Sequence, residues 1–247
     1  MALGEVVGRL DGAWVYPVKG MQGVSMDDIA VRSVSVVGDR RVAFTEIGSK
    51  GTPTLLDTVK FPGLLRYSAR FDNPLDPGKS EIVVTTPQGR DYAVGSPLLL
   101  DQISHEAQMS LAVVRMGRAA YHSMPVSMIS FGTVRETDSQ VGSEVDPRAY
   151  RQNLYIETKL GLPYEEDGWI GKVLVFGDSP NSAKLVIVKP DPRCATVNYH
   201  PQTAESNPNV LRAIVQNHNN TLGVYCAIVG EGRIEANSPV YLSSTPI

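Results

Sequence analysis

Short β-branched and aromatic runs recur along the chain, and turn-forming residues separate them. Val6-Val7, Trp14-Val15-Tyr16, Val34-Ser35-Val36-Val37, Ile82-Val83-Val84 and Lys184-Leu185-Val186-Ile187-Val188 are runs of this kind. Branched and aromatic side chains suit a half-buried pleated surface, and Gly, Pro, Asp and Asn break it. The pattern therefore predicts a mainly β, barrel-rich α+β protein with few helices. Ser96-Pro97 opens one helix through Ala107, with Pro where a missing N–H costs nothing. Asp146-Pro147 starts a single turn running to Arg151. After Asn207-Pro208, residues Val210, Leu211, Ile214 and Val215 form an apolar stripe at helical spacing, and Asn219-Asn220 ends it. The tail returns to strand in Val224-Tyr225-Cys226-Ala227-Ile228-Val229 and again, past a Gly-rich turn, in Pro239-Val240-Tyr241-Leu242.

Two polar stretches read as loops. Asp72 to Lys79 reads as a hairpin loop, and Thr137 to Asp146 as an exposed one. The pattern is weakest near residues 95–120. A boundary there divides a β-rich N-terminal module, residues 1–100, from a larger part, residues 101–247, with a shared interface. Repeats, heptads and low-complexity tracts are absent from the sequence.

With 247 residues, 42% of them hydrophobic, the chain can bury a substantial core. A net charge of −3 supplies no bulk field toward nucleic acid or an anionic membrane. Any anion must then be gripped by a local cluster of Lys and Arg. Met1-Ala2-Leu3-Gly4-Glu5 lacks a signal peptide's basic start and apolar run, and no apolar stretch reaches the roughly 18–20 residues of a membrane span. Cys194 and Cys226 are the only cysteines, so both thiols are expected free, in a cytoplasmic protein.

Cys194 follows an apolar run, after Lys189-Pro190-Asp191-Pro192 ends the regular strand. A thiol in such a loop is accessible, and adjacent Arg193 would stabilise its thiolate, the nucleophilic and metal-binding form. An ordinary free cysteine fits the same local sequence, so both readings stay open. Cys226, among apolar neighbours on a strand, reads as core filler. The two share no C-x-x-C spacing, so a zinc site is not supported.

A second group is cationic. Lys19 lies just past a strand in Tyr16-Pro17-Val18-Lys19-Gly20, a turn that Gly20 would let adopt positive φ. Arg40 and Arg41 follow another strand in Gly38-Asp39-Arg40-Arg41. Arg151 and Asn153 stand at the edge of Leu154-Tyr155-Ile156. Each alone reads as a solvated or salt-bridged surface residue. Converging, they would form a fork-shaped site for a phosphate monoester, but spacing does not show convergence. His105 and His122 lack metal-ligand spacing. His218 reads as a helix C-terminal dipole partner, and His200, just past Cys194, as a candidate base in a loop. Glu165-Glu166-Asp167 reads as a solvated turn into a strand.

Together these segments resemble a known family. Tyr16-Pro17-Val18-Lys19-Gly20 with Gly38-Asp39-Arg40-Arg41 resembles the N-terminal β-barrel module found with MOSC domains, named for the C-terminal part of molybdenum cofactor sulfurase. Tyr150 to Ile156, Glu165 to Gly171, Arg193-Cys194 leading to Thr196-Val197, Gly223-Val224-Tyr225 and Gly232 to Val240 resemble the MOSC domain itself, in the family's order. The resemblance implies a MOSC β-barrel packed with that module, and a pocket for the molybdenum cofactor (molybdopterin). By the same resemblance, Cys194 is the metal ligand and catalytic residue. Lys19, Arg40, Arg151, Asn153, Arg193 and Tyr225 are implied as cofactor-binding residues. The chain departs from the family at Gly20, where a Ser is common, and at Pro192, where a small polar residue is; each removes a hydroxyl donor.

Three functions fit the resemblance. The first is an oxidoreductase that reduces N-hydroxylated or other N-oxygenated small molecules, drawing electrons from separate proteins because no ferredoxin-like cysteine cluster or flavin motif is present. The second is a sulfur carrier with a persulfide on Cys194, loaded by a cysteine desulfurase. The third is a metal-free enzyme using Cys194 as nucleophile. Nucleic-acid and membrane partners are expected of none of them.

Overall fold

Each β-branched run read from the sequence coincides with all or part of a strand. The computed structural model describes residues 4–48, 54–117, 119–121 and 123–243. Met1, Ala2, Leu3 and His122 thus lie outside the described residues. Strands β1 (Glu5–Val15), β2 (Val24–Met26), β3 (Asp28–Arg32), β4 (Ser35–Val36), β5 (Val42–Glu46), β6 (Ser68–Phe71), β7 (Ile82–Thr85) and β8 (Asp91–Ala93) lead to helix α1 (Pro97–Ala107) and strand β9 (Leu111–Arg115). Strand β10 (Val126–Ser130), helix α2 (Phe131–Val141), strands β11 (Leu154–Thr158), β12 (Val173–Phe176) and β13 (Lys184–Pro192), helix α3 (Asn209–His218), then β14 (Thr221–Gly230), β15 (Gly232–Glu235) and β16 (Pro239–Ser243) complete the order. The fold is mainly β, of the α+β class.

Seven strands close a barrel in the order β11-β10-β14-β13-β12-β16-β1, and β1 pairs back onto β11. Only the β10–β11 contact within this ring is parallel. Closure depends on β1 pairing on both sides, with register shifts at Leu10/Gly12 against β11 and at Val6/Gly8 against β16. Such bulges bend and twist a strand. Gly8 is required there, because a Cβ would meet Glu157 O at 2.4 Å. The boundary expected near residues 95–120 falls where the chain passes between the smaller sheets and β10. Pairing crosses it in both directions: β1 closes the barrel, β5 pairs with β9, and β3 pairs with β15. One apolar cluster runs from Leu10, Met128 and Cys226 in the barrel to Phe44, Leu64, Ile82 and Leu99 outside it.

Two sequence expectations need correction. The stretch Thr137 to Asp146 is not all exposed loop, since Thr137 to Val141 completes α2 and Thr137 is buried. Ser130 caps this helix by accepting from Thr133 N at 3.2 Å, and Gly142 ends it in the left-handed region at φ 79°. Its buried face is Gly132, Thr133, Val134 and Thr137, too polar to show as an apolar stripe. The Glu165–Asp167 run is a turn, as expected, but Glu166 is buried and accepts from Ser130 N at 3.1 Å. The hairpin loop Asp72 to Lys79 joins β6 to β7 as expected. No helix among the described residues is long and apolar enough to cross a membrane.

Candidate functional site

All seven residues singled out from the sequence line one cleft of about 300 Å³. Lys19 and Arg40 come from turns after β1 and β4. Arg151 and Asn153 come from the turn into β11, Arg193 and Cys194 from the end of β13, and Tyr225 from β14. Tyr225 and Cys226 are neighbours on a strand and so point to opposite faces. Cys226 enters the barrel core and Tyr225 the cleft, which puts the cleft against the outer face of the β13–β14 pair.

The cationic wall is built around Tyr16. Its buried ring carries the guanidinium of Arg151 at 4.4 Å and that of Arg40 at 4.8 Å, both within cation–π range. Asp39 holds the assembly from behind. Its side chain is 0% exposed, pairs with Arg40, and accepts from Tyr16 N at 2.9 Å and Asn153 Nδ2 at 3.3 Å. Asn153 is equally committed: Nδ2 also donates to Trp14 O at 3.0 Å, and Oδ1 accepts from Ser127 N at 3.3 Å. Arg40 and Arg151 both adopt left-handed backbone, φ 45° and 53°, a conformation that side-chain-bearing residues rarely hold.

Lys19 joins these cations and donates to Ala120 O at 3.0 Å. Burial pulls its pKa down to about 8, and Arg40 and Arg151 push the same way, while Asp57 and Cys194 oppose them. Burial likewise lowers Arg151 to about 10, with a contribution from Arg40. These shifts mark positive charges crowded together in a partly dry site, the condition that favours a bound anion.

The sulfur wall differs from the sequence reading in two ways. Strand β13 does not end before Lys189 but runs to Pro192, with register shifts between Ile187 and Lys189 and between Pro190 and Pro192. These irregularities accommodate prolines that cannot donate to a regular ladder. Arg193, adjacent to Cys194 in sequence, spends its guanidinium on other partners. Its guanidinium pairs with buried Asp191 and donates to Tyr150 O at 2.5 Å, as alternation along extended backbone dictates. Cys194 is exposed, and Sγ–H donates to Thr196 Oγ1 at 3.3 Å. Thr196 Oγ1 in turn lies 2.6 Å from Thr58 Oγ1, so a hydroxyl from the N-terminal part buttresses the sulfur. Asp191 Oδ2 also accepts from Gln152 Nε2 at 2.9 Å. Burial, with help from Asp191, pushes the Tyr225 phenol above its usual range and keeps it a proton donor.

The described histidines, His105, His200 and His218, do not line this cleft. His200 Nδ1 accepts from Gln202 N and Thr203 N at 3.3 Å, and its side chain does not line the site. His218 ends α3, stacks on Tyr164 at 3.9 Å and meets Asp167 at 2.9 Å. His105 lies in the last turn of α1. Among the described residues, no group of three His, Cys, Asp or Glu side chains could hold a metal ion by itself. Asp39, Thr58, Thr196, Asp191 and Gln152 escaped the sequence reading. An acid between two prolines, Pro190-Asp191-Pro192, is the one local signal among them; Thr58 offers none.

The fold and the family rest on comparison with known proteins. The structure is similar to the crystal structure of the YuaD protein from Bacillus subtilis, with a TM-score of 0.51 and 12% identity over 95% of this chain and 94% of that one. It also aligns with YiiM from Geobacillus stearothermophilus, with a TM-score of 0.38 and 20% identity over 49% of this chain and 55% of that one. No curated protein matches the sequence at a significant level. A family model for the MOSC domain matches residues 111–241, more than half of the 247, and this takes in Arg151, Asn153, Arg193, Cys194 and Tyr225 but not Lys19 or Arg40. The chain belongs to the MOSC domain family.

Proposed function

We propose that the cleft binds the molybdenum pterin cofactor and that the protein is an oxidoreductase reducing N-hydroxylated or other N-oxygenated small molecules. The observation that carries this reading is the convergence of one exposed thiol with Lys19, Arg40 and Arg151 in a single cleft. The MOSC family is associated with molybdenum cofactor binding. The donor set fits that group. A metal that arrives held by its own organic ligand needs one soft protein donor, which Cys194 supplies, rather than a protein cage. Lys19, Arg40 and Arg151 would hold its phosphate by charge and by bidentate geometry.

When bound, the cofactor supplies two-electron redox chemistry; the rest falls to the chain. Cys194 presents its sulfur, steadied through Thr196 and Thr58. Tyr225 offers a phenolic proton on the neighbouring strand. Electrons come from separate electron-transfer proteins. Protein made in a cofactor-competent host is expected to carry molybdenum and pterin near stoichiometrically, and Cys194→Ser to lose the metal while keeping its fold. Unchanged metal content in that variant overturns the reading. The exposure of Cys194 also favours a second reading, a persulfide-bearing sulfur carrier. That reading requires a reducible one-sulfur mass increase on the Cys194 peptide after incubation with a cysteine desulfurase.

A further inference from the structure

Lys19 is the one buried lysine among the described residues, and it lines the cleft. Lys60, Lys79, Lys159, Lys172 and Lys189 are exposed, and Lys184 is half-buried. The backbone fixes where its stem starts. Lys19 N donates to Val42 O at 2.9 Å, and Val18 bridges to Val42. Gly20 follows at φ 86°, where a Cβ would meet Leu64 Cδ1 at 2.7 Å. Nζ donates to Ala120 O at 3.0 Å, which keeps the amine at the cleft wall. Burial, with Arg40 and Arg151 adding to it, brings this amine down to about 8. At pH 7 about a tenth of such amines are neutral, against about one in three thousand at the ordinary value of 10.5. Desolvation beside other cations is one way a lysine becomes a nucleophile toward carbonyl carbon. The same wall carries the Arg40 and Arg151 guanidinium groups, whose fork geometry suits a phosphate.

We propose that the cofactor-free cleft forms an imine between Lys19 Nζ and small aldehydes that carry a phosphate. With the phosphate on the two arginines, Lys19 is left to meet the carbonyl carbon. The neutral nitrogen attacks that carbon and forms the C–N bond. The resulting carbinolamine takes a proton at its oxygen and loses water, and the nitrogen gives up its second hydrogen as the C=N bond closes. One water leaves, and nothing is oxidised or reduced. The phosphate also favours the protonated imine over the neutral aldehyde, so the anion that draws the ligand in stabilises the product.

The probe is pyridoxal 5′-phosphate, with pyridoxal as its phosphate-free counterpart. Each is mixed in equimolar amount with the full-length, cofactor-free protein, and the imine is trapped by sodium cyanoborohydride, whose hydride reduces C=N to a stable amine. Peptide mass mapping then gives the label at Lys19 relative to the exposed lysines, a ratio that cancels the reagents' own reactivity. With the phosphate the ratio is expected to be at least about tenfold in favour of Lys19, and with pyridoxal to fall by about tenfold. Excess inorganic phosphate should lower the label at Lys19 and leave the exposed lysines unchanged. Lys19→Arg keeps the positive charge and removes the amine, so the other lysines should carry all the label that remains. Its thermal melt is compared with wild type; if it does not fold, the wild-type ratios alone decide. Label spread evenly over the exposed lysines and Lys19 overturns the proposal, as does a Lys19 ratio that is the same for both reagents. Molybdenum content plays no part in this readout, so failure of the reductase reading leaves the imine site standing, and the reverse.

Discussion

The barrel interior and the cleft on its outer face are built from the same two strands, and they handle chemistry in opposite ways. Where β13 and β14 pair regularly, as at Leu185–Ile187 against Cys226–Ile228, side chains bury in apolar surroundings and the one thiol is inert. Past Ile187 the register slips twice, two prolines interrupt the donors, and Asp191, Arg193, Cys194 and Tyr225 face the cleft. Interior positions have apolar neighbours, whereas Asp191 and Arg193 of the cleft wall are paired with each other. The difference teaches that the break in the ladder is what frees this edge for function. A regular continuation would have paired the backbone at the site where Cys194 now presents its sulfur.

The largest effect should come from breaking the charge network of the cleft. Asp39→Ala removes an acceptor shared by Tyr16 N, Asn153 Nδ2 and Arg40, and it leaves the Arg40 guanidinium beside Arg151 with no carboxylate. Losing one partner of a buried pair costs roughly 3–5 kcal/mol, because the remaining charge stays desolvated. Urea unfolding monitored by circular dichroism should show a loss in that range. A loss below about 1 kcal/mol would mean that the cleft charges are hydrated, as surface pairs are, and the contrast with the dry interior would collapse.

Next in size is a comparison of the two thiols. Burial pushes Cys226 up to about 12, and its neighbours on the core face are apolar. Cys226→Ser buries a hydroxyl among them and should cost about 1–3 kcal/mol, whereas Cys194→Ser on the exposed side should stay within roughly 0.5 kcal/mol of wild type. Alkylation followed by peptide mass mapping should label Cys194 in the native protein and Cys226 only after unfolding. Native labelling of Cys226 at a similar rate would mean that the barrel opens readily.

Much of this contrast was legible in the chain and part of it was not. The β-branched runs marked β1, β4, β7, β13 and β14 because their side chains suit a pleated surface, and Cys226 among apolar neighbours read correctly as core. Helix α2 stayed hidden because it buries Thr133 and Thr137 through hydrogen bonds instead of an apolar stripe. The end of β13 was misjudged because prolines ordinarily close a strand, and register shifts are invisible in sequence. Arg193 lines the cleft as expected, but its commitment to Asp191 and Tyr150 O is a matter of tertiary contact that the sequence does not carry. That Lys19 and Arg40 reach Cys194 came only from family resemblance, since local spacing carries no information about barrel closure.

The smallest effect sharpens the comparison most, because it asks whether the cleft is electrostatically poised before anything binds. Burial first, then Arg40, holds Lys19 near 8 against an ordinary value of 10.5. Below about 8 the ammonium is charged in both folded and unfolded chains, and its burial opposes folding. Between about 8 and 10.5 the unfolded chain holds the extra proton, so stability rises with pH across that window and Lys19→Met should lack the rise. An anion reverses the preference, since it favours the charged form. Sulfate, whose own charge is constant here, should therefore bind the cofactor-free protein about tenfold more weakly at pH 9 than at pH 7, a change of roughly 1.4 kcal/mol. Lys19→Met should bind sulfate weakly at both. A pH-independent sulfate affinity in the wild-type protein would remove Lys19 from the anion site and leave Arg40 and Arg151 to hold the charge alone.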